Sequence, residues 1–269
     1  MHSKYYLTEE IKPNVDTLGN VAHTADDVVF DWTSFEIPKG TANMNSFFLK
    51  IQGTNSAAQS QNLDLFFAKS INGVAPPTLG AANAAKNVIK TQAARPYIIG
   101  YQGRVPGADE DAGNSLVAYN VLQNGRGTDN VSRKDSPLLL EGDPDGFPGD
   151  STYSKTTPGY QTLWVAATTT GALDFGTAVL LNQAGNQAQS LTTAVDLVVD
   201  GTDADDVFAV GDELISFVAA NGSSPKLIGT ITSIPDADSI VVDAVAEAFN
   251  DDTEICNRNP ITLKFGFEY

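Results

Sequence analysis

The sequence predicts an all-β protein: an antiparallel β-sandwich, jelly-roll-like, with an inserted small β-barrel and an extended N-terminal arm. Three observations point there. Residues 207–243 read as strands and tight turns in quick succession. Short apolar runs separated by Gly-, Asn- and Pro-rich breaks recur between residues 28 and 183. The last nine residues alternate, with Ile261, Leu263, Phe265 and Phe267 on one face and Thr262, Lys264 and Glu268 on the other.

Residues 1–27 have no sustained period. Tyr5, Tyr6, Leu7 and Ile11 are apolar among polar neighbours. Such a stretch is either a disordered tail or an arm, and two tyrosines beside two aliphatics favour an arm that docks on a neighbour. Residues 28–37 form a strand in which Val28, Phe30 and Trp32 alternate with Val29, Asp31 and Thr33. After the Pro38-Lys39-Gly40 turn, residues 45–52 present Phe47, Leu49 and Ile51 on one face. Residues 63–71 present Leu63, Leu65 and Phe67. Residues 81–90, AANAAKNVIK, are the fair helix candidate. Residues 96–101 and 115–122 read as strands, and 103–113 and 124–134 as Gly-, Asp- and Asn-rich loops. Residues 141–159 make a long irregular loop, and loops of that length usually serve function or interaction. Residues 160–169 and 177–183 are two further strands.

The small barrel is the clearest unit. Gly211 brings the chain into residues 213–219 through a turn that needs a positive φ. Breakers at 221–225 end that strand. Residues 226–234 resume with Ile228, Thr230, Thr232 and Ile234 facing one way and Leu227, Gly229, Ile231 and Ser233 the other. A turn at 235–238 leads to a third strand, and residues 194–199 and 253–257 add two more. Connections this short imply antiparallel pairing, and closure removes exposed edges. The terminal strand is too apolar for so small a unit. It is expected to return to the larger sheet. The expected domains are therefore an arm at 1–27, a sandwich at 28–190 completed by 258–269, and an inserted barrel at 191–257.

The chain has 269 residues and a formal net charge of −17. That balance opposes binding to nucleic acid or to an anionic membrane surface, both of which want clustered Lys and Arg. A single cysteine, Cys256, excludes an internal disulfide and any CxxC metal motif. No apolar run reaches the length of a membrane-spanning helix. The start, MHSKYYLTEE, lacks the apolar core of a signal peptide, so synthesis in a cytoplasm without export by that route is expected.

Candidate chemistry is sparse. The two histidines, His2 and His23, both lie in the arm without partners for a triad or metal site. Asp143, Asp145 and Asp150, and separately Asp200, Asp203, Asp205 and Asp206, could supply carboxylates to calcium, but neither set has EF-hand spacing, and Asx turns account for them. Trp32, Trp164 and Tyr160 could build a sugar platform, although aromatics at strand spacing are more often core. No catalytic, cofactor or metal residues are assigned.

The segments VGDELISF and LIGTITSIPDADSIVVD resemble a small barrel that recurs in virion structural proteins of tailed bacteriophages. Gly211-Asp212, Ile228-Gly229-Thr230-Ile231, Ser233-Ile234 and Ile240-Val241-Val242 carry the resemblance. It implies a non-enzymatic capsid decoration or cement protein, located on the virion, assembled in the host cytoplasm and homo-oligomeric. Its partners would be the major capsid protein or other virion proteins, with no nucleic acid and no membrane. The expected contacts are Tyr5, Tyr6, Leu7 and Ile11 of the arm and Asp145, Phe147 and Tyr153 of the long loop, because edges and irregular segments offer main-chain hydrogen bonds. The alternative is a tail-associated receptor- or carbohydrate-binding module.

Overall fold

The computed structural model describes residues 4–15, 22–52, 63–86, 93–105, 110–111, 116–122, 138–142, 159–173, 175, 179–182, 195–200, 203–217, 226–244 and 251–269. In chain order the first strands are β1 (Tyr5–Leu7), β2 (Val28–Pro38), β3 (Ala42–Gln52), β4 (Leu63–Ala68) and β5 (Ile98–Val105). Next come β6 (Glu110–Asp111), β7 (Leu116–Leu122), β8 (Leu138–Leu140), β9 (Tyr160–Thr169) and β10 (Val179–Leu181). The remainder are β11 (Val195–Asp200), the short helix α1 (Ala204–Val207), β12 (Glu213–Phe217), β13 (Lys226–Asp236), β14 (Ser239–Val242), β15 (Glu254–Asn257) and β16 (Ile261–Glu268). The chain is all-β with antiparallel sheets.

One sheet has the order β1-β16-β3-β7-β6, and β8 pairs with the other end of β3. A second has the order β2-β9-β4-β5. Side chains from both meet in one core. Phe47, Leu49, Ile51, Ile261, Leu263, Phe265 and Phe267 come from the first sheet; Phe35, Ile37, Leu65, Phe67, Leu163 and Val165 come from the second. Phe265 lies at the centre, with ring centroids 5.2 Å from Phe35 and 5.4 Å from Phe67. Such offset and edge-on contacts add to the burial itself.

The second sheet is covered on its outer face as well. Val28, Phe66, Leu79 and Ala166 form a separate cluster there, with Trp32 against it. Trp32 Nε1 donates to the Pro77 carbonyl at 2.8 Å, and the Leu79 amide donates to Asp31 Oδ1 at 2.9 Å. Lys86 closes this cover, 2.6 Å from Asp26 and 5.5 Å over the Phe66 ring. Residues 81–86 are turns and isolated bridges, not the expected helix. Asn83 takes φ +52°, its amide donates to the Val28 carbonyl, and the Val28 amide bonds back to Ala84. The edge of β2 thus captures a segment that propensity alone would make helical.

The third unit is a closed barrel, β10-β11-β14-β13-β12-β15. It reaches further upstream than expected. Val179–Leu181, assigned from sequence to the larger unit, pairs with β11 on one side and β15 on the other. A barrel without this strand would leave both partners with open edges. Strict alternation along β13 also fails. Register shifts on β13 opposite Leu214 and Ile215, and again between Ile231 and Ser233, turn Ile228 and Ile231 both into the barrel core. Leu227 is left exposed. Bulges of this kind sharpen the local twist that closure needs.

β16 pairs with β3 over its full length and not with any barrel strand. The barrel still shares a wall with the main core. On β12, Leu214 points into the barrel while Ile215 belongs to the main core. On β15, Ile255 and Cys256 divide in the same way. Gln52 Nε2 donates to the Val207 carbonyl at 3.0 Å across the same boundary. Ile215→Ala is therefore expected to cost about 2–5 kcal/mol, as for other large-to-small changes in cores. Urea unfolding followed separately by tryptophan fluorescence, whose two probes lie in the larger unit, should show that loss; an unchanged midpoint would mean the wall is not shared.

Candidate functional site

β1 ends the first sheet and β2 ends the second. Between them lies a groove of about 500 Å³, lined by Tyr6, Thr8, Glu9, Glu10, Ile11, Lys12, Thr33, Ser34, Phe35, Glu36 and Tyr160. Its geometry follows from the ladder between β1 and β16. Lys4 and Tyr269 exchange both backbone hydrogen bonds, and the Thr8 amide donates to Phe265. In an antiparallel pair such residues alternate with ones that face away. Lys4, Tyr6 and Thr8 therefore turn their main chain toward β16. Tyr5 and Leu7 turn theirs outward, along an edge that no described strand covers.

At Thr8 the ladder changes hands. The Phe265 amide donates to the Thr8 hydroxyl at 2.9 Å, and pairing resumes one register later, where Ile11 and Leu263 exchange backbone bonds. The extra residue lifts Glu9 and Glu10 out over the groove. Glu10 is held there by Lys264, 3.1 Å away, and that hydrogen bond is the main cause that keeps its carboxyl below the usual range.

Tyr6 and Tyr160 meet edge-on with ring centroids 5.9 Å apart. Burial pushes the Tyr6 hydroxyl above its ordinary pKa, and Tyr160, Glu9 and Glu36 push it the same way. Tyr269 stands behind them. Its hydroxyl is buried with no hydrogen-bond partner among the described residues. Burial first, then Tyr6 and Tyr160, hold it well above the usual tyrosine range.

The structure redistributes the residues expected at a contact. Ile11 is 5% exposed and part of this chain's own core, and Tyr6 packs against that core. Both also line the groove. Val15 is fully buried too, and its amide donates to the Arg258 carbonyl. Residues 4–15 thus dock on their own chain, along the edge of β16. Tyr5 and Leu7 remain at 73% and 63% exposure. Asp145, Phe147 and Tyr153 lie outside the described residues. Tyr160, Glu9, Glu36 and Tyr269 were not singled out as groove residues from sequence. The weak signal for them was an aromatic at the start of one strand and at the end of another.

The other candidates separate. His2, Asp143 and Asp150 lie outside the described residues. His23 is fully buried, edge-on to Phe175, with its backbone bonded to Leu173. Trp164 is buried with Nε1 donating to Ser70 Oγ, while Trp32 lies under the outer cover, so neither joins Tyr160. Among the described residues no three His, Cys, Asp or Glu are grouped to hold a metal, and no helix is long and apolar enough to cross a membrane. Residues 179–257 carry fourteen Asp or Glu and one Lys, a net −13 of the chain's −17. The acidic balance therefore belongs chiefly to the barrel, and the negative field of the groove is local.

No protein-family model matches the chain, and no curated protein matches it.

The tyrosine cluster has a pH signature. A hydroxyl whose folded pKa is raised contributes stability that is whole below about pH 10 and is lost as pH rises through the folded value. Tyr269→Phe removes such a group and also a buried hydroxyl without a partner, so stability near neutral pH should be unchanged or higher. Its fall above about pH 10 should be shallower than in the parent protein. Thermal unfolding from neutral to alkaline pH checks both, and an equally steep alkaline fall would contradict the assignment.

Proposed function

We propose that this protein is a non-enzymatic structural component of a tailed-bacteriophage virion, of the capsid decoration or cement type. On this reading it binds the outer shell, contacts the major capsid protein or other virion proteins, and works as a homo-oligomer without nucleic acid or membrane. It would be assembled onto the virion in the host cytoplasm. The observation that carries the proposal is the sheet edge at β1, which no described strand covers, with Tyr5 and Leu7 exposed beside the groove. An uncovered edge is a template for a neighbouring strand, and proteins that remain alone usually blunt it. The sequence resemblance of β12 to β14 to phage virion barrels supports the same class.

We also infer that the two sheets form a jelly-roll-like sandwich, completed by residues 258–269, into which the barrel is inserted. The common core of the two sheets and the return of β16 beside β3 support this.

A tail-associated receptor- or carbohydrate-binding module is the second reading. The Tyr6–Tyr160 pair, with Glu9 and Glu36 nearby, has the mixture of aromatic faces and carboxylates that sugars accept. Antibody labelling of intact virions in negative stain separates the two. Label spread over the shell is expected. Label confined to the tail tip would transfer the proposal to the second reading, and absence of label from virions would remove both.

A further inference from the structure

We propose that the groove between β1 and β2 binds a neutral oligosaccharide, with one sugar ring in the corner made by Tyr6 and Tyr160 and its hydroxyls on Glu9. This rests on the carbohydrate-binding part of the second reading, and not on where the protein sits on the virion.

The free polar groups of the groove supply the first argument. Glu9 is exposed and makes no hydrogen bond or ion pair among the described residues. The hydroxyls of Tyr6, Tyr160 and Ser34 have no hydrogen-bond partner among them either. Behind the tyrosine pair, and influenced by both of its members, the buried Tyr269 hydroxyl is a further group without a partner. Thr33, Thr8 and Glu10 are already engaged. Thr33 Oγ1 donates to the Asp31 carbonyl at 3.3 Å, and Thr8 Oγ1 accepts from the Phe265 amide at 2.9 Å. Glu10 has Lys264 at 3.1 Å and Lys12 at 4.0 Å.

These groups choose among ligand classes. An apolar molecule would cover Glu9 and the hydroxyls without giving them partners, which costs free energy for each group buried. An anion would meet the free carboxylate of Glu9, because Lys12 and Lys264 both serve Glu10. A metal ion finds no group of three ligands among the described residues. A neutral sugar meets every condition. Its hydroxyls donate to Glu9 in charge-assisted bonds and exchange bonds with Ser34 and the phenols. Its C–H faces lie on aromatic rings, and tyrosine joins a large apolar body to a polar tip. The planes of Tyr6 and Tyr160 are inclined at 64°, so the pair makes a corner and not a flat stack. A groove of about 500 Å³ is within the ordinary size of small-molecule sites.

The test uses the full-length chain on a glycan array carrying neutral gluco-, galacto- and manno-configured oligosaccharides and their sialylated counterparts. A neutral glycan should bind, and its sialylated counterpart should bind more weakly. Titration calorimetry with that neutral glycan then reads the groove directly. Tyr160→Ala should weaken binding about tenfold, as loss of an aromatic anchor does. Glu9→Ala should weaken it by a similar factor of about ten, the cost of a hydrogen bond to a charged group. Tyr101→Ala, an exposed tyrosine on the other face of the second sheet, should leave it unchanged. Should Tyr160→Ala fail to fold, Glu9→Ala at its exposed position gives the answer alone. Binding of no neutral glycan, equal or tighter binding of the sialylated form, or indifference to Glu9→Ala would overturn the proposal. Virion labelling reads location only, so label at the tail tip with no glycan bound would sink this inference alone.

Discussion

The structure depends on the double pairing of β16. Along one edge it matches β3 from Ile261↔Ile51 to Glu268↔Asn43. Along the other it holds β1, and then Ile11 through Leu263. Its inward row, Ile261, Leu263, Phe265 and Phe267, is fully buried or nearly so. Each such side chain contributes roughly 1.5–3 kcal/mol when taken out of water. The segment before it joins the first sheet and the N-terminal residues to the barrel. Asn259 donates through Nδ2 to the Lys12 and Pro13 carbonyls and to Asn14 Oδ1, and Arg258 reaches Glu213 at 3.3 Å. Residues near the beginning of the chain can therefore settle only after its last strand is in place. The groove is a consequence of that order, because β1 adds one strand to the sheet and nothing described adds another.

The barrel follows the same economy of surfaces. A strand has two faces, and a barrel normally keeps one for its interior and gives the other to water. Here β12 and β15 give their outer faces to the main core through Ile215 and Cys256. The burial of Cys256 raises its thiol pKa and leaves it as a small apolar side chain in a wall, with little thiolate character. On the far side, close packing takes a different form. A Cβ at Gly229 would collide with the Ala244 carbonyl oxygen, and Thr230 and Asp243 bond to each other beside it. The glycine in the middle of a strand thus marks close backbone approach rather than weakness. A barrel with a shared wall is mechanically part of its neighbour, which a linker-joined domain is not.

Much of this was legible in the residues. The alternation of β16, the Phe47, Leu49 and Ile51 face, and the strands around Gly211 all followed from a period of two that burial on one side enforces. Two kinds of feature were not legible. Bulges have no side-chain signature of their own, so the faces of β13 slipped where the ladder gained a residue, and on β2 Phe30 joined Val29 in the main core instead of sharing a face with Val28. Long-range captures were hidden as well. The Ala-rich segment at 81–86 has helical propensity, yet the main-chain groups of Val28 and the charge of Asp26 hold it in turns. A strand at 177–183 was expected, but its place in the barrel was not, because the three residues Val179–Leu181 are too few to show which strands they pair with.

The site was half legible for a related reason. Tyr5, Tyr6, Leu7 and Ile11 stood out as apolar residues in a polar stretch, but composition does not say which of them a chain keeps for itself. The ladder decides. A strand docked on one edge must turn alternate main-chain groups to its neighbour and the rest outward. Tyr6 and Ile11 fall on the side that packs into the core, while Tyr5 and Leu7 fall on the side that does not. Of the devices that blunt such an edge, β1 has shortness, at three residues, but no proline, bulge or inward-pointing charge within it. The bulge comes only after Thr8, where it lifts Glu9 over the groove instead of closing it. The edge at Tyr5 and Leu7 therefore stays open, with Glu9 and Glu10 beside it. The same short stretch of chain thus both completes this protein's own sheet and forms its outer edge.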